Sequence, residues 1–505
     1  MRSYAAALSL APENDLLATR TLSQAVAAGD RPLALQAARV LDKAGKLPHD
    51  GRLLLATEAI RTHDWKRARA ELARIERDEV FAFLTPVLNA WIAEDSGKGD
   101  PLKALDRATG NPLAEAYAAE HRPLLLLARG KRKEALPLVG PLFAEGTVRG
   151  QRLQIATAAL LARKGNRDAA LALLTGEATP VREARRLLEA GKRLPGEIDS
   201  APAGAAELLL RLSVELAGQE APELALRFAR LATFLAPENS GGWLLVGELL
   251  GGEGHYGAAT AALANVRPDD PFAAPGLAMR AEYLARSDRS EEALTELRAM
   301  AARQPGSIET WVQLGQLFYE AKRFGEAADA FGSALQAAKA GGGGPDRQWR
   351  LWLLRGGALR DAGKWAEGKA ALQEAYRLAP KEATVLNDLG YSQLERRENM
   401  AEAERLILEA SLLQPGDASI TDSLGWAHFV RGNVGKAVEL LERAAKAQPA
   451  DPAINEHLGD AYFTTGRHYE ARYAWQAALV FAEGNALDRL RAKIEGGLRP
   501  DLAAP

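Results

Sequence analysis

Small and bulky apolar residues alternate along this chain with a period of about 34 residues, most clearly between Leu386 and Ala478. In each period, a first segment places a small residue beside a leucine, and a second segment places another small residue about a dozen positions later. The first-segment motif is Leu389-Gly390-Tyr391, then Leu424-Gly425-Trp426, then Leu458-Gly459-Asp460. Two helices approach closely only where their crossing point lacks bulk, so the pattern predicts helical hairpins.

The pattern keeps a firm register from residue 205 to residue 484, through eight units. Proline closes most of the units, because it cannot continue a helix. The small position of the first helix falls at Ser213, Gly247, Ala281, Gly315, Gly356, Gly390, Gly425 and Gly459. The partner position of the second helix falls at Ala225, Ala259, Ala293, Ala327, Gly368, Ala403, Ala437 and Ala471. A lone hairpin leaves an apolar face in water, so each unit is expected to stack on its neighbours.

Residues 1–195 show a degenerate version of the same repeat pattern. Leu22 and Ala56 stand where the first-helix glycine would be. The second-helix small positions are Ala34, Ala68, Ala104, Ala135 and Ala169. We therefore predict three regions: degenerate helical repeats over 1–195, a regular array over 205–484 and a capping helix over 485–499. The Pro195-Gly196 turn within 194–204 is either a long loop in one array or a hinge between two subdomains.

The last helix is predicted from one apolar face and one polar face. Leu487, Leu490 and Ile494 form the apolar face, and the polar exterior is expected to consist of Asp488, Arg489, Arg491 and Lys493. Residues 499–505 are expected to form a loose tail.

The motif resembles the tetratricopeptide repeat. One unit matches it closely, at Trp311, Leu314, Gly315, Phe318, Ala327, Phe331 and Ala334. The strong resemblance covers about 205–484 and a weaker one covers 1–176. It implies an all-α fold, a right-handed superhelical solenoid of about 13 antiparallel hairpins, and a protein-binding scaffold.

One unit is about seven residues longer than the others, and the excess lies around Ala338 to Asp346. It includes four glycines, residues 341–344, which are reminiscent of a phosphate-binding loop. No Gly-Lys-Ser/Thr follows them, so we predict a flexible loop or a partner-contacting flap instead.

Composition narrows the classes of function. The 505 residues contain no cysteine, which excludes disulfides and thiolate chemistry, and the net charge of −2 lacks the basic excess of a nucleic-acid-binding surface. No apolar run is long enough for a transmembrane helix. Tyr4, Ala7 and Pro12 fall where a second helix should end, so we expect the natural chain to be longer and to carry an export signal or lipid anchor ahead of them. This favours a periplasmic or outer-membrane-associated location, with the cytoplasm as the alternative.

The sequence offers no catalytic constellation. None of the seven histidines forms a metal-spaced pair, and no Gly-x-Ser-x-Gly elbow occurs. We therefore predict neither an enzyme nor a bound metal or cofactor.

The resemblance implies that the first helices line a groove in which a protein or peptide partner binds. Counted from the small position, the predicted groove residues are Tyr319, Asn387, Tyr391, Asp422, Trp426, Phe429, Glu456, Asp460 and Phe463. Aromatic side chains beside hydrogen-bonding groups suit a peptide ligand. The family's clamp for carboxylate tails is not matched, because Asn387 and Tyr391 stand where that clamp has Lys and Asn.

A finer resemblance covers about 383–480. The stretches 386–391 and 420–426 look like a bacterial group of long repeat proteins that includes outer-membrane lipoproteins, which act as adaptors of a periplasmic C-terminal processing protease. The cysteine-containing lipobox of such a lipoprotein is not in this sequence. The prediction is a non-catalytic adaptor that holds a protease or its substrate; the alternative is a carrier or assembly factor for a lipid, glycan or polysaccharide.

Overall fold

The computed structural model describes residues 1–11, 13–143, 147–341 and 344–504, and no strand occurs in these ranges. The chain forms two compact units, Met1–Glu296 and Leu297–Pro505, which are called the first and second units below. The all-α prediction is confirmed. Pro12, Gly342, Gly343 and Pro505 lie outside the described residues.

The first unit contains α1 to α17, and the division between the units falls within α18. Three short 3₁₀ turns interrupt the series, at Ala82–Leu84, Asp106–Ala108 and Gly140–Leu142. The helices are α1 Arg2–Leu10, α2 Asp15–Ala28, α3 Arg31–Lys43, α4 His49–Arg61, α5 Trp65–Asp78, α6 Thr85–Ser96, α7 Pro101–Leu105, α8 Pro112–Ala128, α9 Arg132–Val139, α10 Val148–Arg163, α11 Arg167–Leu173, α12 Thr179–Glu189, α13 Ala201–Gly218, α14 Pro222–Leu235, α15 Ser240–Gly252, α16 Tyr256–Leu263, α17 Ala273–Ala285 and α18 Ser290–Arg303.

The second unit holds the five most regular hairpins and ends in a single helix and a 3₁₀ turn. Its helices are α19 Ile308–Glu320, α20 Phe324–Ala340, α21 Pro345–Asp361, α22 Trp365–Leu378, α23 Ala383–Glu395, α24 Met400–Leu413, α25 Ala418–Val430, α26 Val434–Ala447, α27 Pro452–Thr464, α28 His468–Phe481 and α29 Asn485–Gly496, followed by the turn Pro500–Leu502. In every pair from α19 to α28, the odd-numbered helix is the first helix of a hairpin.

The predicted Gly–Ala crossings are confirmed. A Cβ added at Gly425 would lie 2.8 Å from Leu441 Cγ, and one added at Gly315 would lie 2.5 Å from Phe331 Cε1. The second-helix alanines at these crossings, Ala327 and Ala437 among them, are completely buried. At each crossing, a side chain of the second helix therefore packs against the backbone of the first helix. This close contact fixes the hairpin geometry.

In α25 and α27, capping side chains and glycine turns mark where the first helix begins and ends. Asp417 and Asp451 accept hydrogen bonds from the amides of Ile420 and Ile454, at 2.9 and 3.0 Å, and so cap α25 and α27. Gly432 and Gly466 adopt φ values of +82° and +80° in the turns to α26 and α28. Left-handed backbone is easiest for glycine, so these turns set the sharp reversal between paired helices.

The first unit packs beyond nearest neighbours, unlike the stacking that we expected. Arg227 of α14 forms an ion pair of 2.6 Å with Asp50 of α4, far away in the sequence. In α13, a Cβ added at Gly204 would fall 2.2 Å from the ring of Trp91 in α6. Helices α13 and α14 therefore cover the first helices α4 and α6, so these are not open to a partner.

Two of the predicted small positions in the degenerate repeats, Ala104 and Ala169, are half-buried, whereas their neighbours Leu105 and Ala170 are buried. The 194–204 stretch lies within the first unit, where Leu194 and Ile198 are each 2% exposed. The domain borders of the sequence analysis remain predictions.

Candidate peptide-binding face

The first helices α19, α21, α23, α25 and α27 of the second unit present the surface that we call the first-helix face. All nine predicted groove residues lie on four of these helices. They are Tyr319 on α19, Asn387 and Tyr391 on α23, Asp422, Trp426 and Phe429 on α25, and Glu456, Asp460 and Phe463 on α27. Their exposure differs sharply. It divides the face into a covered end, formed by α25 and α27, and a more open end, formed by α19, α21 and α23.

A column of stacked rings forms the centre of the covered end. The Trp426 ring lies parallel to the rings of Phe429 and His457, with centroids 4.7 and 4.2 Å away. Trp426 is only 3% exposed. This column is a packed core element, so Trp426 offers little surface to a partner in this state of the chain.

The ring column rests on an ion pair that the sequence analysis missed. His457 Nδ1 lies 3.0 Å from both carboxylate oxygens of Asp422. Burial alone would lower the pKa of His457, but the Asp422 carboxylate outweighs it and the pKa is raised. Asp422 was among the predicted groove residues, but His457 was not. It lies one repeat later, at a position that was not counted as facing the groove.

Two predicted carboxylates at the covered end bind α29 instead of facing solvent. Lys493 Nζ lies 2.6 Å from Glu456 Oε1 and 2.8 Å from Asp460 Oδ1, and Arg489 Nε lies 2.7 Å from the same Glu456 oxygen. Asp460 also accepts a 2.9 Å hydrogen bond from Trp475 Nε1. The predicted polar exterior of α29 was therefore wrong at Lys493, which is completely buried.

The pKa values of the two carboxyl groups, Glu456 and Asp460, are shifted in opposite directions. Burial opposes ionisation of Glu456, but its hydrogen bond from Arg489 and the charge of Lys493 prevail, so its pKa is lowered. Burial dominates at Asp460, whose pKa is raised despite Lys493. Buried carboxylates with cationic partners are structural elements here.

Residues 497–504 return across the same end of the face. Gly497 has a φ of +79°, and a Cβ there would lie 2.6 Å from Phe463 Cζ. Further on, the amide of Ala504 donates a 2.9 Å hydrogen bond to Asp460 Oδ2, and its methyl group joins the apolar cluster that contains Trp426. The prediction of a loose tail over 499–505 was wrong for Ala504, which is 8% exposed.

The other end of the face is more open. Tyr319 is 38% exposed and donates its hydroxyl hydrogen to Asp361 at the end of α21. Asn387 and Tyr391 are half-buried on α23. The side-chain oxygen of Asn387 is buried and has no hydrogen-bond partner among the described residues. A buried unpaired acceptor of this kind is costly unless a water molecule satisfies it.

Charged groups alternate along this open end. Arg360 donates to Asp361 at 2.8 Å and to Ser392 Oγ at 3.2 Å. Burial raises the pKa of Asp388 to about 6, against the opposing effect of Arg360. Burial likewise raises the pKa of Glu395. Because the arginine is already occupied, the open end is poorly suited to hold a carboxylate tail.

The described part of the chain contains no group of three or more histidine or acidic side chains placed to hold a metal ion. Among its helices, none is both long and apolar enough to cross a membrane. A small cavity of about 20 Å³ beside Arg152 and Asp270 in the first unit has room for one water.

Comparison with known proteins agrees with the hairpin geometry. The family model of the tetratricopeptide repeat matches residues 353–418 and 423–486. A TPR repeat-containing protein of Pseudomonas aeruginosa is 42% identical over 55 residues, which cover 11% of this chain and 9% of that relative's length. The structure is thus a helical hairpin-repeat protein. The two matched ranges lie in the second unit, and their hairpins are similar to tetratricopeptide repeats.

Solved structures of similar helical proteins share low identity with this chain. The Cut9–Hcn1 hetero-tetramer of the APC/C is 16% identical, covers 99% of both chains and has a TM-score of 0.40. A tetratricopeptide repeat protein from Parabacteroides merdae is 12% identical, covers 58% of this chain and 98% of its own, and has a TM-score of 0.40. At such scores, the fold assignment rests on the chain's own helix pairs.

Proposed function

We propose that this chain is a non-catalytic scaffold that binds a segment of a partner protein on the first-helix face of its second unit. The observation that carries the proposal is the open end of that face, where Tyr319 is 38% exposed and Asn387 and Tyr391 keep partly exposed surface. Tetratricopeptide repeats generally mediate protein–protein contacts, and tyrosine gives a large contact area at low entropic cost.

The chemistry of the face indicates what kind of segment fits. The exposed Tyr319 ring offers an apolar surface. Arg360 is held by Asp361 and Ser392, and burial already raises the pKa values of Asp388 and Glu395, so a further carboxylate is poorly accommodated there. The proposed partner is therefore a neutral or basic peptide segment and not an acidic tail.

A finer role accounts for the sequence resemblance. The chain serves as a bacterial envelope adaptor that holds a C-terminal processing protease or its substrate. The motifs at 386–391 and 420–426 support this role.

The test is photo-crosslinking with two matched tyrosine replacements. Benzoylphenylalanine is placed at Tyr319 on the open end, or at Tyr473, which is 68% exposed on the second helix α28. Crosslinked proteins are then identified by mass spectrometry in cells of the source organism. We expect adducts from position 319 and none from position 473.

The adducts separate the two levels of the proposal. A processing protease or its substrate at position 319 supports the adaptor role, whereas a different protein there supports the scaffold and removes the adaptor role. Equal labelling at both positions, or labelling at Tyr473 alone, would contradict the proposed face. A lipid or glycan that co-purifies with the native protein, with no protein adduct, would favour the carrier alternative.

A further inference from the structure

The covered end of the first-helix face already holds a peptide, which is residues 497–504 of the chain itself. This segment meets two of the predicted groove residues directly, Phe463 at Gly497 and Asp460 at Ala504, and its Ala504 belongs to the same apolar cluster as a third, Trp426. It therefore occupies the positions that the repeat pattern assigns to a ligand.

The two ends of the segment are anchored differently. Gly497 turns the chain with a left-handed φ against the Phe463 ring, and Leu498 packs beside the Trp475 cluster. Ala504 contributes one hydrogen bond, to Asp460, and one small buried side chain. The hydrogen bond is charge-assisted, because a main-chain amide donates to a carboxylate.

The middle of the segment is held weakly. Arg499, Pro500 and Asp501 are exposed, and the ion pair of 3.4 Å between Arg499 and Asp501 lies within the segment itself. Leu502 donates its amide to the Arg499 carbonyl, again within the segment. Segments with few buried contacts open at low free-energy cost, so the anchors can release without unfolding the helices.

The site beneath the segment is complete without it. Lys493 and Trp475 already hold Asp460, and the ring of Trp426 is stacked on His457. Displacement of Ala504 would leave an Asp460 oxygen and the rim of an apolar cluster for another chain to use. Such a preformed site favours a ligand that brings its own N–H and a small side chain.

Building on the proposed function, we propose that the face of α25 and α27 binds an extended peptide in trans, and that residues 497–504 are the internal ligand that this peptide displaces. The peptide's main-chain N–H takes the place of the Ala504 amide on Asp460. A small apolar side chain takes the place of the Ala504 methyl group beside Trp426, and a larger apolar residue takes the place of Leu498.

The test uses the full chain and a labelled synthetic peptide with the sequence of residues 497–505. Ala504→Glu puts a carboxylate into the apolar cluster beside Asp460 and should expel the segment, whereas Ala503→Glu makes the same change at its half-buried neighbour. Because internal occupancy reduces apparent affinity, we expect fluorescence anisotropy to show at least about tenfold tighter binding to Ala504→Glu than to wild type or Ala503→Glu.

Hydrogen exchange gives a second readout on the wild-type chain. A saturating concentration of unlabelled peptide should expose the Ala504 amide to exchange, because the peptide replaces it on Asp460. Equal peptide affinity for all three proteins, with matching circular dichroism and thermal midpoints, would overturn the proposal. A crosslinked partner at Tyr319 with no peptide effect would remove this inference and leave the proposed function in place. Peptide displacement without any partner at Tyr319 would support the peptide site on α25 and α27 and contradict the proposed site at the open end.

Discussion

Lys493 Nζ lies 2.8 Å from each carboxylate oxygen of Asp460, and the lysine side chain is completely buried. The same nitrogen lies 2.6 Å from Glu456 Oε1, so one lysine joins α29 to two turns of α27. Asp460 in turn accepts the Ala504 amide. The last helix, the returning segment and the first-helix face are thus connected through a single carboxylate.

Removal of this lysine should destabilise the second unit. Lys493→Met leaves Glu456 and Asp460 buried with less compensation, and the loss of one partner from a buried ion pair typically costs about 3–5 kcal/mol. Differential scanning calorimetry should show a clear fall in the thermal midpoint. Arg491→Met on the exposed side of the same helix is the control and should change it little. A near-equal midpoint for both variants would show that the lysine is dispensable.

Alanine substitutions at two adjacent glycines of α21 should change the free energy of unfolding in opposite directions. A Cβ at Gly356 would lie 2.7 Å from Leu372 Cγ, whereas a Cβ at Gly357 meets nothing within 4 Å. We expect Gly356→Ala to cost about 1–3 kcal/mol through overpacking and Gly357→Ala to gain about 0.5–1 kcal/mol through helix propensity. Denaturant titrations of the two variants against wild type measure both. Equal effects would contradict the crossing-point account of the repeat.

The ion pair between His457 and Asp422 should make stability depend on pH. Because the pKa of His457 is raised in the folded chain, its stabilising effect is full below the ordinary value of 6.5 and disappears as pH rises through the folded pKa. Asp422, Asp460, Glu456 and Glu395 are the charged groups that interact with it. His457→Gln should therefore destabilise the chain more at about pH 6 than at about pH 9.

Thermal midpoints of His457→Gln and wild type at the two pH values provide that measurement. Asp422→Asn should remove the same pH dependence, since it deletes the partner that raises the histidine pKa. A constant difference between wild type and His457→Gln at both pH values would show that the ring acts by packing on Trp426 alone.

At the open end, Tyr319 should matter for binding more than for stability. Its side chain is 38% exposed, so Tyr319→Ala should change the free energy of unfolding by only about 1 kcal/mol. Loss of the aromatic contact with a partner should weaken binding by about tenfold. Isothermal titration with the partner captured at Tyr319 measures this, with exposed Gln414→Ala as the control. Unchanged affinity would place the partner elsewhere on the molecule.

The regular hairpins could be predicted from sequence because their determinants are local. Gly425 and Leu441, like Gly315 and Phe331, lie within one unit, and the same spacing recurs in the next. The repeat pattern therefore predicts the helix pairs, their crossing points and the helices that carry the nine predicted residues. It does not show which of these aromatic and acidic residues remain exposed in the folded chain.

The missed features depend on contacts that follow no period. Lys493 reads as one of several charges on an amphipathic helix, and only its position against Glu456 and Asp460 shows that it is buried. Ala504 is an ordinary small residue near the end of the sequence, yet its amide donates a hydrogen bond to a carboxylate 44 positions earlier. In the first unit, the contact between Arg227 and Asp50 joins residues 177 positions apart, which a nearest-neighbour view cannot anticipate.

The most direct test of the central claim is hydrogen–deuterium exchange of the full chain with and without the partner captured at Tyr319. If the partner binds the first-helix face, protection will increase in α19 and α23 and will stay unchanged in their second helices, α20 and α24. Protection confined to α20 and α24, or to the first unit, would contradict the claim.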